Sequence, residues 1–129
     1  MRICVLASGS EGNSTFIETD SHKILIDIGM NLRYLKNKLD ELDVTLNEID
    51  TVLISHTHSD HIGALDNFIK KYDSNIYMSK AMFDEISNDS LIKQYDNIKY
   101  FNDDFFIDNV KIELIKTSHD SADSGIYCK

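Results

Sequence analysis

The chain contains no proline, so glycine and Asn/Asp clusters have to make its turns. Basic residues are also scarce: 13 Lys and Arg stand against 22 Asp and Glu, a formal net charge of −9 with neutral histidines. Phosphate contacts need Lys and Arg, so this balance argues against tight nucleic-acid binding by charge alone and suits divalent cations better. Only two cysteines occur, Cys4 and Cys128, near opposite ends and without CxxC spacing. They read as buried or incidental thiols of a reducing compartment. No apolar run approaches the length of a membrane span, and the apolar segment of "MRICVLASGS" is too short for a signal peptide. The expectation is a cytoplasmic protein with no membrane association. Repeats, low-complexity tracts and linkers are lacking as well. What is present is 129 residues at 42% hydrophobic, enough for one domain with a real core.

Strand patterns occupy residues 2–7, 15–18 and 23–28. A polar, glycine-bearing loop at 8–14 follows the first, and turn residues 19–22 join the other two. Leu32, Leu35, Leu39 and Leu42 fall at helical spacing and predict an amphipathic helix over 31–42. A helical turn at 45–49 then leads into an apolar strand at 51–55. Ile62, Leu65, Phe68 and Ile69 mark a helix reaching about residue 71. Beyond it, 75–79 predicts a strand, 80–87 a helix and 98–101 a short strand. "FFIDNVKIELIKT" has the pattern of a hairpin turning at Asp108 and Asn109, which tolerate left-handed backbone. Residues 125–129 begin a further strand. Strands and helices alternate, so the class is α/β.

The densest chemistry lies in "SHTHSDH", residues 55–61, which holds three of the five histidines. His56 and His58 are two positions apart, which points them the same way in an extended segment. Asp60 and His61 follow where the chain must turn into a helix, so one loop can aim four ligand atoms into a small volume. Neutral imidazole and carboxylate are usual ligands for zinc and similar divalent ions. Three ligands with an open position leave room for water, whose pKa a metal lowers to about 7 in favourable cases. A chance cluster of solvated histidines and a closed structural metal site are the competing readings. Closed sites are usually cysteine-rich, which this chain is not.

"HTHSDH" resembles the H-x-H-x-D-H signature of the metallo-β-lactamase-fold hydrolases, placed after the expected strand. "LASGSEGNST" and "ILIDIGM" resemble the opening strands of the YycJ/WalJ-like branch, linked to exonuclease activity on DNA. "TSHDSADSGIY" is similar to that branch's next metal-binding loop. The resemblance implies that His56, His58 and His119 hold one metal. Asp60 and His61 would contribute to a second, with Asp60 also the residue expected to serve catalysis. Asp27 matches an aspartate that braces the metal loop by hydrogen bonds; by itself it reads equally as a strand-end turn with Gly29. Ser8, Ser10, Asn13 and Ser14 either line the substrate side or simply form the turn. Asp120 either orients a ligand histidine or belongs to a turn. His22, in a hairpin turn, is expected to be solvent-exposed.

The same resemblance implies an architecture: the N-terminal half of a metallo-β-lactamase αββα sandwich, as one truncated domain over 1–129. Full members carry a metal-bridging aspartate and another histidine in a second half, and Ser124 stands where the branch usually has proline. The sheet face along 2–7 and 51–55 is therefore expected to lack its cover. The implied cofactor is a pair of divalent ions, zinc or manganese, with iron also compatible. The implied reaction is 5′–3′ exonuclease-like hydrolysis of phosphodiester bonds in DNA. Hydrolysis of a thioester, lactone or small phosphodiester is the first alternative. A non-catalytic metal-binding fragment is the second. The implied partners are DNA and a complementary C-terminal half, or another copy of the chain.

Overall fold

A computed structural model of the chain describes residues 1–116 and 124–128. The expected roles of His119 and Asp120 fall outside the described residues. The strands are β1 (Arg2–Ala7), β2 (Ser14–Glu18), β3 (Lys23–Ile26), β4 (Thr51–Leu53), β5 (Asn75–Met78), β6 (Ile98–Tyr100), β7 (Phe105–Ile107), β8 (Val110–Lys116) and β9 (Ser124–Cys128). The helices are α1 (Leu32–Asp40), α2 (Ser59–Ile62), α3 (Leu65–Ile69) and α4 (Lys80–Ile86). β1 to β6 form one sheet in chain order, while β7, β8 and β9 form a second. β1, β2 and β3 pair antiparallel, whereas β3, β4, β5 and β6 run parallel.

The strand period of two explains the layering. Phe16, Leu25 and Val52 pack in the larger core with the helix residues Leu35, Leu39, Leu65, Phe68 and Met82. Their chain neighbours Ile17, Ile24 and Leu53 point to the opposite face. There they meet Ile107, Val110 and Ile112 of the second sheet. Helices cover one face and a small antiparallel sheet covers the other, which is why every residue of β4 is buried.

This arrangement corrects the expectation of a bare face along 51–55: β7 and β8 cover that strand. The expectation survives in part at β1, the edge strand. Ile3 pairs with Ile17 and shares its face, yet Ile3 is 58% exposed and Val5 66%.

Three boundaries differ from the pattern for identifiable reasons. β3 stops at Ile26 because Asp27 takes a left-handed φ of 64°. β4 stops at Leu53, after which the Ser55 amide leaves the ladder for the Asp27 carboxylate. The helix expected to reach residue 71 is split around Gly63, where a Cβ would lie 2.3 Å from the Gly29 carbonyl oxygen. The hairpin does turn at Asp108 and Asn109, with Asp108 at φ 51°. His22 departs from its expectation. Its side chain is only 18% exposed and lies between Asp50 and Asp108. Among the described residues no helix is long and apolar enough to cross a membrane.

Candidate metal centre

β3 and β4 are parallel neighbours, with Ile26 opposite Leu53. The segments leaving their C-terminal ends therefore emerge side by side, Asp27 from one and Ser55 and His56 from the other. The Asp27 amide still donates to the Leu53 carbonyl at 2.8 Å. Its left-handed turn then drives the carboxylate into the space under the histidine loop. Aspartate tolerates that backbone better than most residues.

The Asp27 carboxylate is buried, and a buried charge requires partners. Oδ1 accepts from the Ser55 amide at 2.7 Å. Oδ2 accepts from the Ser55 hydroxyl at 2.5 Å and from His61 Nδ1 at 2.7 Å. Three donors on one carboxylate lock Ser55 and His61 to the end of β3. From the other side the Ser14 hydroxyl donates to the Asp27 carbonyl at 2.8 Å. Ser14 is 1% exposed, so its hydroxyl serves this turn and lines no surface.

The histidine rings sit above this anchor. The His56 and His61 ring centroids are 4.3 Å apart. Asp27, His56 and His61 each present a ligand-type atom within 4.8 Å of one another. His61 Nε2 lies 3.5 Å from Asp60 Oδ2. His58 is exposed at the N-cap of α2, outside that trio. The imidazoles of His56 and His61 and the Asp60 carboxylate, braced by Asp27 beneath them, are donor types suited to borderline divalent ions such as zinc.

The loop at 9–13 closes against this group. The Asn13 side-chain amide donates to the Gly9 carbonyl at 2.9 Å and to Asp60 Oδ2 at 3.0 Å. Its backbone amide donates to the Asp60 carbonyl at 2.6 Å, and the Gly29 amide donates to the Asn13 carbonyl at 2.9 Å. Three chain segments meet here backbone to backbone, and only glycine permits that approach at position 29. A Cβ on Gly29 would sit 1.8 Å from the Asp60 carbonyl oxygen. Ser8 and Ser10 are exposed on the outer part of the loop. On the opposite flank the Thr57 hydroxyl donates to Glu85 of α4 at 2.7 Å.

Sequence reasoning missed Ser55 and Gly63. Ser55 opens the histidine run and is buried. Its position immediately before His56 was the available signal. Gly63 is legible only once the approach of residues 28 and 29 is known.

A histidine and aspartate cluster at the C-terminal ends of two parallel strands is the arrangement of a candidate metal-binding hydrolase site. The family model described as the metallo-beta-lactamase superfamily matches residues 7–123. The chain belongs to that superfamily, whose fold implies divalent-metal binding. Among named relatives, it is 27% identical to "Exodeoxyribonuclease YycJ" of Bacillus anthracis, covering 98% of this chain and 49% of the relative. It is 29% identical to "Exodeoxyribonuclease WalJ" of Streptococcus pneumoniae, covering 95% of this chain and 47% of the relative. The chain thus spans about half the length of the curated relatives it matches. In fold it resembles the metallo-beta-lactamase fold protein YhfI from Bacillus subtilis, with a TM-score of 0.76 at 18% identity. That match covers 98% of this chain and 56% of the solved one.

Proposed function

We propose that this chain supplies the metal-holding loops of a hydrolase that cleaves phosphodiester bonds in DNA from a 5′ end. The observation that carries the reading is the Asp27 anchor, which gathers Ser55, His56 and His61 at the C-terminal ends of β3 and β4. The resemblance to two exodeoxyribonucleases over nearly the whole chain supports the DNA substrate. His56, His58 and His119 are the proposed ligands of one ion, with Asp60 and His61 contributing to a second. When bound, such ions activate water and neutralise charge on a phosphate. The chain's own part is to hold the donors. Asp27 fixes the His61 ring through Nδ1, Asn13 holds the Asp60 carboxylate, and the glycine contacts keep the loops together. The excess of acidic residues leaves the phosphate to be met chiefly by the ions.

The test compares a 5′-phosphorylated DNA duplex, a thioester and a generic phosphodiester, each with added manganese or zinc. Metal-dependent release of nucleotides, abolished by a chelator and by His56→Ala, is the expected result. Preferential turnover of the thioester overturns the substrate assignment.

A second reading is favoured by the exposure of Ile3 and Val5 on the face that the second sheet covers at Ile17. Here the centre works only when further polypeptide of the same fold covers that strip. Mixing the chain with a complementary C-terminal half of a relative, then following nuclease activity and elution volume together, tests it. Activity unchanged by the added half removes this reading.

A further inference from the structure

We propose that Ser55 is a positioning residue of the metal centre, its hydroxyl linking Asp27 to His56 and setting which nitrogen of His56 faces an ion. The inference rests on the metal-centre reading above and adds a role for a side chain outside the expected ligand set.

A serine hydroxyl has one proton to donate and two lone pairs to accept with. Ser55 Oγ lies 2.5 Å from Asp27 Oδ2 and 2.7 Å from His56 Nδ1. A carboxylate only accepts, so the hydroxyl proton goes to Asp27. The hydroxyl must then accept from His56, which puts a proton on Nδ1. In a neutral imidazole that makes Nε2 the unprotonated nitrogen, the one able to ligate an ion.

The same argument applies to the other ring. His61 Nδ1 donates directly to Asp27 Oδ2 at 2.7 Å, again leaving Nε2 as the donor atom. One buried carboxylate thus sets the tautomer of two histidines, one directly and one through Ser55. This also explains why Asp27 acts as an organiser although it belongs to the trio of close ligand-type atoms. Its oxygens already accept three hydrogen bonds, and the nitrogen that His61 turns toward it is the protonated one.

The alternative is that Ser55 merely satisfies a buried acceptor. Ser55→Ala separates the two roles, because the backbone amide of residue 55 still reaches Asp27 Oδ1 while the link to His56 disappears. Ser55→Thr restores the hydroxyl. The first measurement is the nitrogen-proton correlation spectrum of the imidazoles in the metal-free chain. His56 is expected as the Nδ1–H tautomer in the wild type and in Ser55→Thr, and as a tautomer mixture in Ser55→Ala. His61 should be unaffected in all three. The second measurement is cobalt(II) titration followed by visible absorption, where Ser55→Ala is expected to weaken binding by roughly 10–100-fold and Ser55→Thr to recover it. An unchanged His56 tautomer together with unchanged cobalt affinity in Ser55→Ala overturns the proposal. A wild-type chain that takes up no cobalt overturns the metal-centre reading instead, and the tautomer spectrum still decides the link from Asp27 to His56.

Discussion

Replacing His22 by glutamine should remove a pH-dependent clasp at the end of the sandwich away from the metal loop. His22 Nδ1 lies 2.9 Å from Asp50 Oδ1, just before β4, and Nε2 lies 2.5 Å from Asp108 Oδ2 in the β7–β8 turn. One ring therefore joins the large sheet to the small one. Neutral imidazole has a single N–H and can satisfy only one of these carboxylates, whereas imidazolium donates to both. Accordingly the His22 pKa is raised above its ordinary value, first by the hydrogen bond to Asp50 and then by that to Asp108. The other groups close to this site are consistent with it. The Lys23 amide and Thr51 hydroxyl also donate to Asp50. Tyr77 has its pKa pushed up by burial first, and then by the charges of Asp108 and Asp50.

The raised folded pKa determines the sign. The stabilisation is fully present below the unfolded histidine value, about 6.5, and is lost as pH rises through the higher folded value. A hydrogen bond to a charged group contributes about 1.5–3 kcal/mol. The Asp50 and Asp108 side chains are 40% and 71% exposed, so both contacts are discounted toward the surface range of about 0.2–1 kcal/mol each. The clasp then contributes roughly 1 kcal/mol at acidic pH, or on the order of 3–5 °C in Tm for a chain of this size. Thermal melts of wild type and His22→Gln at closely spaced pH values read this directly. The gap between them should be widest near pH 6 and narrow as pH rises above the folded pKa. A gap that is absent at pH 6, or that widens with pH, refutes the reasoning.

The remaining predictions concern the other end of the molecule and the edge strand. Gly29→Ala places a Cβ against backbone at 1.8 and 2.4 Å, so it should cost roughly 3 kcal/mol or more. A urea midpoint equal to wild type would show that the loops can separate cheaply. Asp27→Asn leaves buried donors of Ser55 and His61 facing an amide, and should destabilise by about 3 kcal/mol while lowering cobalt affinity. Normal stability and affinity in that variant would remove Asp27 as the anchor. One divalent ion should bind more firmly than a second, and equilibrium dialysis with elemental analysis that finds two equal sites per chain would contradict this. Finally, Ile3→Lys with Val5→Lys should reduce self-association in gel filtration, since it breaks an exposed apolar strip on an edge strand. An unchanged elution volume would show that the strip is not sticky.

Local pattern decided much of this protein before any packing was known. Leu35 and Leu39 at helical spacing, the alternation through Ile24 and Leu25, and the Asp108–Asn109 turn each reflect a backbone period or a φ preference carried by adjacent residues. The clustering of His56, His58, Asp60 and His61 was legible for the same reason, because its members are neighbours in the chain. What only the tertiary structure decided are relations between distant residues. Ser55 gained its role because β3 and β4 run parallel and bring Asp27 beneath it, 28 positions away. Gly29 and Gly63 are required by backbone approaches that no local pattern encodes. His22 looked like an exposed turn residue until the second sheet folded over and brought Asp108, 86 positions away, within hydrogen-bond reach. Periodicity describes what a residue does with its neighbours along the chain, whereas charge pairing and close contact depend on which segments the two sheets bring together.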